Sequence, residues 1–227
     1  MPTARESLLN AALLALAEQP WSAVRMVDVA SAAGVSRQTL YNEFGSKDGL
    51  ARALVRREAD AYLHGVDRLL AEPAGPADRL AALAEWTAGE ARARPLLRAL
   101  LTGCWGERLP TPRPARRGAV LAGVPAQRRA DAGLPGPSDV VAAVRDRSLA
   151  ALEQGRPGRT SEESAELGRH CEVAMRLALS SVVAPAGEGV GPLVRTAVEG
   201  LSPVSGAGAG AGVPNGVSAT SPTAADR

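Results

Sequence analysis

Apolar residues near the start of the chain recur at the spacing of an α-helix. Leu8, Ala12 and Leu16 lie four residues apart, so they share one face that can pack against a neighbouring element. Upstream, Thr3-x-x-Glu6 has the sequence of a capping box, in which each side chain bonds a free backbone N–H of the first turn. The pattern predicts a first helix that ends at the proline following it.

Between residues 24 and 50 the apolar positions form two short groups separated by a glycine. Gly34 is suited to a left-handed turn, and Ser36 can cap the helix that follows it. The predicted buried positions of the two short helices are Val29, Ala30, Leu40 and Phe44. This order of elements predicts a helix-turn-helix, a unit whose second helix enters the major groove of DNA.

The rest of the chain alternates helical periodicity with breaks. Further helices are predicted over roughly 47–70, 76–94, 95–102, 138–154, 162–183 and 192–201. Residues 103–137 contain six prolines, and 108–129 carry six arginines without an acid. This segment fits either a nucleic-acid-binding arm or a solvated connector near a dimer or ligand site, with a short helix near 126–132. The last 26 residues, of which 18 are Gly, Pro, Ser or Ala, are expected to be disordered.

Composition points to an all-α protein, because residues that favour strands are scarce and aromatics make up only 3%. The expected organisation is a three-helix helix-turn-helix domain over 1–50 and a larger helical ligand-binding and dimerisation domain over 51–201. A tail over 202–227 follows.

Charge and reactive side chains narrow the function further. The net charge of +2 is too small to indicate nucleic acid, but residues 36–57 hold five cations and two anions. Two histidines, with no nucleophile–base pair and no metal spacing, argue against an enzyme, a metal or a cofactor. The isolated Cys104 and Cys171 favour a reducing cytoplasm. No uncharged apolar run approaches the ~20 residues of a membrane span.

Polar side chains that suit base recognition cluster at the start of the second helix of this unit. Arginine bonds guanine, glutamine and asparagine bond adenine, and threonine offers a methyl and a hydroxyl. The candidates are Ser36, Arg37, Gln38, Thr39, Tyr41 and Asn42. A solvated helix face would explain any one of them, but their concentration after a glycine turn favours DNA contact. Lys47 opposes the dipole of the next helix, so a phosphate outside would stabilise it, although simple solvation stays open.

Two motifs at fixed spacing lie within residues 8–55: Ala30-x-x-x-Gly34-Val35-Ser36 and Leu40-Tyr41-x-x-Phe44-x-Ser46-Lys47-Asp48-x-Leu50. They resemble the N-terminal domain of TetR-type (TetR/AcrR) transcriptional regulators. The resemblance implies a dimeric, all-helical, ligand-responsive regulator, most often a repressor. It also implies base contacts at Arg37, Gln38 and Thr39, and phosphate contacts at Tyr41 and Lys47.

The chain departs from that family at Arg25, where relatives have a threonine whose hydroxyl caps the second helix. Arg25 has no oxygen with which to cap, but it could pair with a phosphate, and Ser22 is an alternative cap. The wording of the motifs and the run Val124–Asp131 also resemble actinobacterial regulators found near alkane-oxidation genes.

Apolar residues of the later helices supply candidates for two more surfaces. A pocket for a small apolar effector, such as a lipid or fatty-acyl compound, would be lined by Leu83, Trp86, Leu97, Leu101, Trp105 and Met175, although ordinary core packing explains each residue equally well. A four-helix dimer interface would use Val141, Val144, Ser148, Leu152, Leu167, Cys171, Met175 and Leu179, although both helices could instead close the core of one chain.

These expectations combine into a ligand-released homodimeric repressor that binds a palindromic operator in double-stranded DNA. Two recognition helices would enter successive major grooves, and the effector would favour a spacing of the helices that DNA does not. The alternative is a transcriptional activator, or a DNA-binding regulator of the same fold that needs no ligand.

Overall fold

The computed structural model describes residues 2–111, 134–154, 160–185 and 187–200, and these residues form helices and connecting loops without a strand. The helices are α1 (Ala4–Glu18), α2 (Met26–Ala32), α3 (Arg37–Phe44), α4 (Lys47–Leu70), α5 (Pro76–Ala93), α6 (Pro95–Thr102), α7 (Pro137–Glu153), α8 (Ser161–Val183) and α9 (Gly191–Gly200). The all-α prediction is confirmed. The predicted helix near 126–132 and the tail over 202–227 lie outside the described residues.

Local capping sets several helix starts where the sequence predicts them. The Thr3 hydroxyl accepts from the Glu6 N–H at 3.2 Å, and the Glu6 carboxylate accepts from the Thr3 N–H at 2.7 Å. Thr160 and Glu163 repeat this capping box at the start of α8. Each box satisfies backbone N–H groups that have no partner inside the helix, and therefore defines the first residue of the helix.

The helix α4 runs without a break from the helix-turn-helix into the larger helical part. It packs against α1 and α3 of the helix-turn-helix and also against α5, α6 and α7. Arg57 holds α4 to α1 by donating to the Asn10 side-chain oxygen at 2.7 Å and to the Leu9 carbonyl at 3.3 Å. The proposed domain boundary at residue 50 therefore falls inside one continuous helix.

An aromatic contact joins α4 to α5 in the core. The Tyr62 and Trp86 rings stack with centroids 5.4 Å apart, and the buried Tyr62 hydroxyl is 2.9 Å from the Thr87 hydroxyl. Gly65 leaves room for the Trp86 ring, because a Cβ there would overlap the indole. Burial raises the pKa of Tyr62 to about 12, against a smaller opposing effect of the hydrogen bond to Thr87.

We expect this tyrosine to make the fold sensitive to alkaline pH. Above pH about 10 the unfolded chain releases the Tyr62 proton while the folded chain retains it up to about 12. The stabilisation from the protonated Tyr62 hydroxyl is therefore complete below pH about 10. Between pH about 10 and about 12 the free energy of unfolding falls by roughly 2 kcal/mol as this stabilisation is lost. Urea unfolding across this range should show that Tyr62→Phe, although about 1 kcal/mol less stable at neutral pH, loses less stability than the wild type. Parallel pH curves for the two proteins would refute the assignment.

Candidate nucleic-acid interface

The short helix α3 is held on the protein surface by two buried side chains. Leu40 is fully buried and Phe44 is 1% exposed, and both belong to the core shared with α1 and α4. Arg5 of α1 adds an ion pair with Glu43 at 3.3 Å and places its guanidinium 4.7 Å from the centre of the Phe44 ring. One side of α3 is therefore fixed to the core, and the opposite side faces solvent.

The turn before α3 has the predicted geometry. Gly34 has φ +68°, a left-handed conformation that a side chain would strain. The Ser36 hydroxyl accepts from the Thr39 N–H at 3.0 Å and lies 2.8 Å from the Thr39 hydroxyl. The two hydroxyls thus cap the helix and bond each other, which fixes how its first turn is presented to solvent.

The structure leaves most of the predicted base-reading residues of α3 exposed to solvent. Arg37, Gln38, Tyr41 and Asn42 are exposed, whereas Thr39 is half-buried. The Gln38 side-chain nitrogen Nε2 donates to Asn42 Oδ1 at 2.9 Å, which joins two neighbouring turns of the helix. The resulting polar face has hydrogen-bonding groups of the types that base edges and phosphates require.

Lys47 lies beside this face but is engaged within the chain. Its ammonium donates to the Ser22 carbonyl at 3.1 Å and lies 5.3 Å from the centre of the Trp21 ring. Burial lowers the pKa of Lys47, partly opposed by Asp48. The ammonium thus has partners within the chain, and its contact with a phosphate stays a prediction. The contact places the ammonium between the α1–α2 loop and the start of α4.

Arg25 occupies the residue before α2 and provides no side-chain cap. Its guanidinium forms two bonds to the Asp28 carboxylate, with Nε–Oδ2 at 2.7 Å and Nη2–Oδ1 at 3.1 Å. Ser22 does not replace the missing cap, so that alternative is wrong, and its carbonyl instead accepts from Lys47. The Arg25 side chain remains 73% exposed, so the pair can still reach a nearby phosphate.

The predicted effector residues form part of the packed interior. Leu83, Leu97, Leu101 and Met175 are at most 1% exposed, whereas Trp86 and Trp105 are half-buried. The Trp86 indole stacks on the Tyr62 ring and fills the space beside Gly65, so its contacts within the chain already occupy it. A ligand among these residues would have to displace side chains that already contact one another.

Most of the predicted dimer interface belongs to the core of the single chain. Burial within one chain favours the alternative that these two helices close its own core, and it holds for Val144, Ser148, Leu152, Leu167, Cys171 and Met175. The remaining two, Val141 and Leu179, are half-buried and line an open groove of about 310 Å³ between α7 and α8. Arg145, Glu172 and Arg176 also line this groove.

Sequence reasoning missed a contact between the helix-turn-helix and the chain that follows α6. The Trp21 N–H donates to the Arg108 carbonyl at 2.8 Å, while the Trp21 ring lies against Lys47. Local periodicity cannot reveal such a contact, because it joins a loop to a segment more than 80 residues away along the chain. The Gln38–Asn42 bond, by contrast, could have been predicted from its i, i+4 spacing.

Among the described residues, no three His, Cys, Asp or Glu side chains are grouped so that they could bind a metal ion. None of the helices in the described ranges is both long and apolar enough to cross a bilayer.

Comparison with known proteins identifies the N-terminal segment. Residues 8–54 match the family model described as bacterial regulatory proteins, tetR family. The HTH-type transcriptional regulator AlkX of Mycobacterium tuberculosis is 50% identical over 62 residues, 27% of this chain and 29% of that protein. The HTH-type transcriptional repressor LfrR of Mycolicibacterium smegmatis is 39% identical over 75 residues, 33% of this chain and 38% of that protein. The matches therefore span less than two fifths of either relative.

A solved structure extends the likeness to the whole fold. The crystal structure of the TetR family repressor AlkX from a Dietzia strain, implicated in biodegradation of n-alkanes, superposes with a TM-score of 0.50. The superposition covers 87% of this chain and 94% of that chain at 21% identity. At this identity the superposition supports the all-helical architecture alone.

Proposed function

We propose that this chain, whose residues 8–54 match the family model of bacterial regulatory proteins, tetR family, is a ligand-released homodimeric repressor of transcription. The observation that carries the proposal is the exposed polar face of α3, fixed on its other side by Leu40 and Phe44. A helix presented in this way can enter the major groove and place side chains against base edges.

Support for a homodimer comes from the groove between α7 and α8. Val141 and Leu179 contribute apolar surface to this groove, and the charged residues Arg145, Glu172 and Arg176 also line it. Two copies related by a twofold axis would cover the same surface on each other. The resulting pair of α3 helices would recognise two half-sites of a palindromic operator about one helical turn apart.

We expect Leu179→Arg to separate the two copies, because it would bury a charge at the centre of the contact. Sedimentation velocity should show a monomer at concentrations where the wild type is a dimer, with the dissociation constant raised on the order of tenfold or more. Leu193→Arg on α9 is the matched control, since Leu193 is 53% exposed and lies outside the groove. Equal behaviour of the two variants would place the interface elsewhere.

An apolar effector is proposed for the larger helical part, because the interior between α5, α6 and α8 is lined by aliphatic side chains such as Leu83, Leu97 and Met175. A ligand that separates them can lower DNA affinity only by its preference for the altered state. Titrating fatty-acyl compounds into the protein–DNA complex would test this step. An operator affinity that no such compound changes would favour the ligand-independent alternative.

The central test is sequence-selective binding to DNA. The wild type should bind the duplex upstream of its own gene more tightly than a shuffled duplex of equal composition, with an affinity that falls as salt rises. Arg37→Ala should lose about five- to a hundredfold on the specific duplex, the range expected for one good base contact. Arg92→Ala on the exposed side of α5 serves as the control and should bind like the wild type. Equal affinity of the wild type for both duplexes would exclude the proposed function.

A further inference from the structure

Gln38 and Asn42 lie at the centre of the free side of α3. At about 100° per residue, each is roughly 200° around the helix from Leu40, so both point within about 20° of the direction opposite that residue. Leu40 is fully buried, and Gln38 and Asn42 are both exposed. When α3 lies in a major groove, these two side chains are therefore directed most deeply into it.

The hydrogen bond between the two amides determines which atoms remain for a ligand. Because Gln38 Nε2 donates to Asn42 Oδ1 at 2.9 Å, Gln38 Oε1 stays available as an acceptor and Asn42 Nδ2 as a donor. Reversing both amides together exchanges these positions but still leaves one outward acceptor and one outward donor. The bond also limits the rotation of both side chains before DNA arrives, so less conformational entropy is lost on binding.

We propose that Gln38 and Asn42 act as one reading unit that binds a single adenine in each half-site of the operator. Adenine presents the N6 amino group as a donor and N7 as an acceptor on its major-groove edge, which matches one acceptor and one donor. Guanine presents two acceptors, N7 and O6, so the acceptor of the pair would face another acceptor. The inference rests on the proposed function, since it assumes that α3 enters the groove of a specific operator.

Selection of operators from a random duplex library tests this pairing. The full-length wild type should select a symmetric sequence with one adenine per half-site whose identity is lost in both Gln38→Ala and Asn42→Ala. Arg37→Ala, on the same turn but outside the pair, should relax a different base pair. If Gln38→Ala and Asn42→Ala lost preference at two different base pairs, or at a G·C pair, the two residues would not bind one adenine together. A wild type that selects no motif would instead refute the proposed function, and the pairing with it.

A single-atom change in the selected operator gives a second test. Replacing that adenine by 7-deazaadenine removes the N7 acceptor and should weaken wild-type binding by about five- to tenfold, as expected for one lost hydrogen bond. Gln38→Ala and Asn42→Ala should bind the two duplexes nearly equally, while Arg37→Ala should keep the wild-type difference. Variants of the pair that remain fully sensitive to 7-deazaadenine would show that another residue contacts N7.

Discussion

Gly49→Ala should lower the free energy of unfolding more than a conservative substitution at the surface of the helix-turn-helix does. Gly49 lies in the first turn of α4, where a Cβ would overlap the Phe44 backbone carbonyl oxygen at the end of α3. Because the overlap involves backbone, no rotamer change relieves it, and α3 and α4 would have to move apart. We expect a loss of about 3 kcal/mol in the free energy of unfolding, measured by urea denaturation, together with loss of operator binding.

Gly89→Ala provides the matched control for this substitution. Gly89 also lies inside a helix, in α5, but a Cβ there would meet no heavy atom within 4 Å. The same chemical change should therefore stabilise the protein by about 0.5–1 kcal/mol, because alanine restricts the unfolded chain more than glycine does. If both variants shifted stability in the same direction, the close approach of α3 and α4 would not explain the glycine.

The sequence predicted the local features of the fold because they depend on neighbouring residues. The caps at Thr3 and Ser36 each involve a backbone N–H only three residues away, so spacing alone identifies them. The exposed polar face of α3 follows in the same way from the buried positions Leu40 and Phe44. Short-range hydrogen bonds and helical periodicity thus account for most of the candidate site.

Long-range choices of partner were harder to predict. A helical stripe such as Val144, Ser148 and Leu152 indicates that one face is buried, but not whether other helices of the same chain or a second copy cover it. The partners of Lys47 depend on how the α1–α2 loop folds over the start of α4, which no periodic pattern encodes. The same limit explains why the Trp21–Arg108 contact was missed.

Arg94→Met should destabilise the junction between the helix-turn-helix and the larger helical part by about 2–3 kcal/mol. Arg94 Nε lies 2.8 Å from the Glu58 carboxylate of α4, and Nη1 lies 2.8 Å from Glu90 of α5. Burial alone would lower the pKa of Arg94, but bonds and charge attraction to Glu90 and Glu58 raise it overall. Removing the cation would leave the Glu58 carboxylate, whose side chain is 9% exposed, buried without a partner. The loss should fall below that of a fully buried pair, since the Arg94 side chain is 31% exposed.

A double variant separates the ion pair from the packing of the arginine stem. Glu58→Gln combined with Arg94→Met removes both charges, so it should recover at least half of the stability lost by Arg94→Met alone in denaturant titrations. Arg92→Met, which removes an exposed arginine two residues earlier, should change stability by less than about 0.5 kcal/mol. If Arg94→Met resembled Arg92→Met, or the double variant were no more stable than the single one, the buried carboxylate would not be the cause. Recovery in the double variant would instead show that α4 is held at this junction by the pairing of Arg94 with Glu58.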